Sequence, residues 1–291
     1  MRLKGDTAAV PIAVLIAAMV CFQLGAALAK GLFPVVGASG TAALRLALSA
    51  LVLLAVWRPW RLRMSAREMR VILAYGLALG WMNFFFYVSL RFIPLGVAVA
   101  LEFAGPLALA MAASRRGIDF AWILMAGVGL LALLPIGLGA QQLDLLGVGC
   151  GLAAGACWAL YIYFGRKAGA AHGGQTTALG MLIGAIVIVP IGAAEAGTRL
   201  VSPSILPAAL AVALLSSAIP YSLEMLAMPR LPTRTVGVLM SLDPALGALS
   251  GLCFLGESLT WIQWAAIASI MAASAGSAAT SRAAVPALLP D

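Results

Sequence analysis

Charge is what this sequence has least of. Asp, Glu, Lys and Arg make up 10% of its 291 residues and mean hydropathy is +1.07, whereas a soluble domain carries about 25% charged residues. That shortage excludes a water-soluble globule and makes lipid the main solvent. Histidine is almost missing: His172 stands alone in a Gly-rich stretch and reads as a solvated loop residue. The four cysteines (Cys21, Cys150, Cys157 and Cys253) lie in apolar runs without a CxxC spacing and read as small packing residues. HExxH, GxSxG, Walker and Asp-rich motifs are all lacking. Nothing therefore asks for an enzyme, and no metal and no cofactor are expected. No segment alternates polar with apolar, which leaves no basis for a β-barrel.

What is present is a series of apolar stretches long enough for helices that cross a membrane. They predict an all-α integral membrane protein with spans near 11–30, 39–57, 71–90, 94–114, 120–138, 146–165, 175–195, 205–227, 234–254 and 260–280. The first run has no convincing cleavage site and reads as a span, not a signal peptide. The net charge of +8 is explained by Lys and Arg held on the cytoplasmic side, without any need for nucleic acid. With the N-terminus inside, fourteen of the eighteen fall on inner segments, among them Arg58, Arg61, Arg63, Arg67 and Arg70 in one connection. Lys30, Arg91 and Arg199 fall on outer ends, and Arg45 lies within a span. The expected location is the cell inner membrane, multi-pass, with both termini cytoplasmic.

The chain repeats itself. Pro94 and Pro106, twelve apart, are matched by Pro232 and Pro244, 138 residues later. Ala17-Ala18-Met19-Val20-Cys21-Phe22 is echoed by Ala153-Ala154-Gly155-Ala156-Cys157-Trp158, and at the same offset Lys30 falls on Arg166. Five spans precede the loop near Gln141 and five follow it. An odd number per copy inverts the second copy, which predicts a 5+5 inverted repeat, 1–140 and 141–291, packed as one bundle. Glycines four apart, Gly76 with Gly80, Gly147 with Gly151 and Gly155, Gly180 with Gly184 and Gly247 with Gly251, let neighbouring backbones approach closely.

Ionisable groups inside the spans are few. Each costs about 2.5–3.5 kcal/mol at mid-membrane and needs a partner or a wet cavity. Glu102 sits mid-span, and Pro106 has no N–H to give its carbonyl. Asp243 immediately precedes Pro244, the repeat mate of Pro106. Either carboxylate serves binding or proton coupling, or it pairs with a neighbouring helix and shapes a kink. Glu224 follows Pro220 and shares a face with Tyr221. Lys30 and Arg45 fall in the outer parts of their spans, where snorkelling to the headgroups competes with a role in binding. Gln23 shares a face of span 1 with Lys30. Asn83 and Tyr87, Trp158 and Tyr161, and Tyr221 are candidates to line a cavity, or to pack and anchor.

Several runs carry a family resemblance. They are Leu28-Ala29-Lys30, Leu32-Phe33-Pro34, Ala43-Leu44-Arg45-Leu46-Ala47-Leu48, Pro94-Leu95-Gly96 and Ala100-Leu101-Glu102-Phe103, then Gly155-Ala156-Cys157-Trp158-Ala159, Pro220-Tyr221-Ser222-Leu223-Glu224-Met225 and Leu231-Pro232-Thr233-Arg234-Thr235. Across roughly residues 11 to 282 the chain resembles the drug/metabolite transporter superfamily, EamA type, and within it the threonine/homoserine exporters. Asp243 stands where that pattern has Glu. The resemblance implies export of small neutral amino acids, with protons as the coupling ion. Other metabolites, or hydrophobic and aromatic compounds, are the alternative cargo, and an intramembrane enzyme or a scaffold is a remote one.

Overall fold

The computed structural model describes residues 6–61, 64–112, 117–133, 143–227, 230–231 and 233–280, and all the regular secondary structure among them is helical. The predicted loop around Gln141 lies outside the described residues, as do Pro232, Arg2, Lys4, Arg63, Arg115, Arg116 and Arg282. The helices are α1 (Asp6–Lys30), α2 (Phe33–Trp57), α3 (Ala66–Phe92), α4 (Leu95–Ala112), α5 (Gly117–Leu133), α6 (Leu145–Ala196), α7 (Leu206–Ala213), α8 (Ile219–Ala227), α9 (Thr233–Met240), α10 (Asp243–Leu255) and α11 (Trp261–Thr280). Seven segments among the described residues are long and apolar enough to cross a membrane, and Leu95–Leu109 and Phe120–Leu133 are shorter apolar helices. Large apolar side chains stand outward, Phe120 at 77% and Trp261 at 78% exposure, as a lipid-facing surface requires.

Local sequence sets the helix ends. Ser65 caps α3 by accepting from the Glu68 N–H at 3.3 Å, while Glu68 accepts from the Ser65 N–H at 2.7 Å, a reciprocal capping box. Asp144 starts α6, taking the Leu146 N–H at 2.7 Å. α6 is 52 residues long, about 78 Å if straight, yet it is not a straight rod. A Cβ built on Gly165 would lie 3.2 Å from the Tyr75 ring, and one on Gly180 would collide with the same ring. One tyrosine cannot reach two positions about 22 Å apart, so α6 doubles back between limbs Leu145–Lys167 and Gly174–Val201.

The glycine spacings mark true contacts. A Cβ on Gly80 would lie 2.8 Å from Gly184 Cα, which brings α3 against the second limb of α6. On the first limb, a Cβ at Gly155 would be 2.6 Å from the Glu102 carbonyl oxygen. α4 meets α10 through Gly96, whose Cβ would sit 2.5 Å from Ala248 Cα. Two further features bear on the site. α7 and α8 are joined by one π-helical turn, Leu214–Ala218. α9 and α10 meet at a turn at Ser241–Leu242 inside one apolar segment, Thr235–Leu255, so the helix is interrupted just before Pro244. Pro244 falls in the opening turn of α10, where its missing N–H costs nothing.

Candidate functional site

Arg45 lies at the centre of α2 with 1% of its surface exposed. Snorkelling to the headgroups is thereby overturned, because α2 begins at Phe33 and puts Arg45 deeper than the expected span 39–57 did. Its guanidinium bonds to the Asn83 side-chain oxygen, donates from Nε to Ser216 Oγ at 2.7 Å, and donates from Nη2 to the Ser216 carbonyl at 2.6 Å. The sequence explains that last acceptor: Pro220, four residues on, has no N–H to offer Ser216. Phe22 and Tyr87 flank the cation, with ring centroids 5.2 and 5.4 Å from Cζ. Asn83 is anchored in turn, its amide donating to the Leu79 carbonyl at 2.8 Å.

The acidic candidates form a chain that begins at this cation. Glu102, 9% exposed, lies in the fields of Arg45 and Asp243, and Glu224 lies in that of Asp243. Tyr221 is within electrostatic reach of Arg45, Glu224 and Glu102. Asp243 is half-buried in the first turn of α10, where the helix dipole favours a carboxylate, and its Oδ1 accepts from the Gln23 amide at 3.3 Å. The Gln23 oxygen and the Tyr87 hydroxyl have no protein partner among the described residues. Glu102, Asp243, Glu224, Arg45, Gln23 and Tyr221 are thus one constellation built from α1, α2, α4, α8 and α10.

Aromatic rings line it. Tyr161 stacks on Tyr75 at 4.8 Å, Trp158 meets Phe103 edge-on at 5.6 Å, and Tyr221 meets Phe22 edge-on at 6.3 Å. No group of three or more His, Cys, Asp or Glu able to hold a metal ion occurs among the described residues. Lys30 stands apart: it ends α1 and forms an ion pair with Glu257, whose Oε2 accepts from the Leu95 N–H at 2.8 Å.

Residues 145–278 match the model of the EamA-like transporter family. Over 272 residues the chain is 57% identical to the threonine/homoserine exporter RhtA of Salmonella typhimurium strain LT2, covering 94% of this chain and 92% of the relative. It is 55% identical, over the same shares, to the exporter of that name from Escherichia coli strain K12. The chain belongs to the EamA-like transporter family. This transporter is therefore a multi-pass membrane protein. A crystal structure 20% identical in sequence shares its fold, with a TM-score of 0.58 over 92% of this chain and 96% of the other.

Four residues in or near the candidate site were not legible as such in the sequence. Glu257 ends an apolar run and looks like a solvated loop acid, and its signal is only that it faces an outer-end lysine. Ser216 is legible through Pro220, four residues on. Phe22 and Tyr75 resemble ordinary core aromatics, and only the fold brings them to Arg45 and Tyr161.

Proposed function

We propose that this chain exports small neutral amino acids of the threonine and homoserine type across the cell inner membrane, in exchange for protons. The observation that carries the reading is a chain of three carboxylates that starts at one committed guanidinium: Glu102 lies in the field of Arg45, Asp243 acts on Glu102, and Glu224 lies in the field of Asp243. Buried negative charge requires a counter-charge, and a proton or a substrate ammonium group supplies it. Glu102 is the central exchange group, with Asp243 and Glu224 beside it. Proton and ammonium compete for the same carboxylate, so loading one releases the other. The unpaired Gln23 oxygen and Tyr87 hydroxyl offer hydrogen bonds to a polar cargo side chain. Lys30 and Arg45, the two cations that a cargo carboxylate could meet, already hold Glu257, Asn83 and Ser216. Arg45 accordingly acts as a fixed positive field with donors to spare.

The names of the 55–57% identical relatives support the cargo. Nucleotide sugars or phosphate esters want several free cations in the cavity, and both of these are engaged. Aromatic lining by Trp158, Tyr161 and Tyr221 favours bulkier or aromatic amino acids as the second reading. We further read the chain as ten spans in two inverted five-span repeats, 1–140 and 141–291, with both termini in the cytoplasm. The matched prolines and the distribution of Lys and Arg support this.

The test is uptake of labelled threonine, homoserine and phenylalanine into inside-out vesicles driven by an imposed pH gradient. Wild type is expected to take up threonine and homoserine, and Glu102→Gln to lose gradient-driven uptake by at least tenfold. Unchanged rate and unchanged pH response in Glu102→Gln would remove Glu102 from the mechanism. Preferential phenylalanine uptake would favour the aromatic reading.

A further inference from the structure

Glu257 binds three helix ends at once. Gly256 adopts a left-handed conformation (φ 65°) that closes α10, and the next residue, Glu257, donates its N–H to the Gly251 carbonyl at 3.1 Å. One carboxylate oxygen takes the Lys30 ammonium at the end of α1. The other takes the Leu95 N–H at 2.8 Å, at the start of α4, an N–H that a helix's first turn leaves without a partner. A side chain at Gly251 would collide with this carboxylate. Lys30 and Glu257 are only 24% and 14% exposed, and a pair so sheltered resists screening by salt.

The same three helices carry the constellation. α1 bears Gln23, α4 bears Glu102 and α10 bears Asp243, and Gln23 bonds to Asp243. Between that cluster and Glu257 the helices touch with little between them: Gly96 meets Ala248, and Gly247 meets Val99. On the Glu257 side of the cluster, α4 and α10 thus lie in direct contact. Away from Glu257, Asp243, Tyr221, Glu224 and Trp158 are half-buried.

We propose that the Glu257 carboxylate is the latch of the outer gate, holding α1, α4 and α10 together while the cavity faces inward. Lys30 and the Leu95 N–H must leave it before cargo can exit. This rests on the export reading and on the orientation given with it. It assigns Lys30 to the gate instead of the cargo carboxylate, and it assigns Glu257 a role in transport at a distance from the cargo.

Native Cys157, half-buried beside Trp158 and in the field of Glu102, reports on access to the cavity. Intact cells producing the full chain are treated with a membrane-impermeant maleimide, and labelling of Cys157 is followed by mass spectrometry. Glu257→Gln is expected to raise outside labelling several-fold and to lower labelling in inside-out vesicles. In a Lys30→Cys/Glu257→Cys chain, bridging the two thiols with a short bis-methanethiosulfonate, which spans the gap left by the two longer side chains, is expected to stop export and keep Cys157 unlabelled from outside, and reduction to restore outside labelling. An unchanged Cys157 rate in Glu257→Gln, or a cross-linked chain that exports as fast as its reduced form, would overturn the latch. Labelling needs no cargo, so a wild type that exports no amino acid defeats the functional reading while leaving the gate result interpretable.

Discussion

At the residue scale, Arg45 shows how one buried cation is made tolerable. Three of its hydrogen bonds go to Asn83 and Ser216, and two rings cover its faces. Lysine has the charge but no planar fork, and cannot serve a side-chain oxygen, a hydroxyl and a carbonyl together. Arg45→Lys is therefore expected to leave Asn83 or Ser216 unpaired, which costs about 1–3 kcal/mol. A lowered melting temperature of the purified protein in detergent, with export reduced more than expression, would show it. The sequence identified Arg45 as a residue needing an explanation but placed it too near the outer surface. The error lay in the start of the span: Phe33–Val36 is helical, and the chain continues past Gly37, whose φ of 72° bends α2 without ending it. That Glu102 and Asp243 lie in the interior of the bundle was legible, because a carboxylate within four residues of a proline in an apolar run needs a partner or a wet cavity. Glu257 was not, because an acid at a helix end is usually solvated, and only folding brings Lys30 to it from 227 residues away.

At the scale of elements, the glycine spacings were legible as close contacts, but not the partners they choose. Gly155 faces the carbonyl of Glu102, and a side chain at Gly105 would collide with the Gly155 carbonyl. α4 and the first limb of α6 thus lie backbone to backbone at the level of Glu102. Gly155→Ala is expected to push α4 away, destabilising the protein by about 1–3 kcal/mol and lowering export. Gly149→Ala, at a position open to space, is the control expected to leave both unchanged. Thermal unfolding of the two variants side by side makes the comparison. The sequence also showed that Pro244 would disturb its span. It could not show that the interruption falls at Ser241–Leu242, where the Ser241 hydroxyl donates to the Val238 carbonyl at 2.6 Å and competes with helix continuation.

At the scale of the whole molecule, composition alone placed the chain in a membrane and predicted helices throughout. The order of contacts was beyond it: α4 on α10, α3 on both limbs of α6 and α5 on α11, where Ser269 donates to the Met125 carbonyl at 2.7 Å. Orientation rests on the bias in Lys and Arg, and it yields a direct prediction. A fluorescent protein fused to the C-terminus is expected to fluoresce, and alkaline phosphatase fused at the same place to be inactive. Fusions after Lys30 or Arg199 are expected to give the reverse pattern.

The bond between Arg45 and Ser216 also has a consequence in time. Ribosomes deliver Arg45 to the membrane 171 residues before Ser216 exists, and of its hydrogen-bond acceptors among the described residues only Asn83 is made early. During synthesis the nascent second helix therefore carries a cation that lipid penalises by about 2.5–3.5 kcal/mol. Chains halted before Ser216 are expected to remain bound to insertion machinery or to be degraded, and release into the bilayer becomes possible once the π-helical turn arrives.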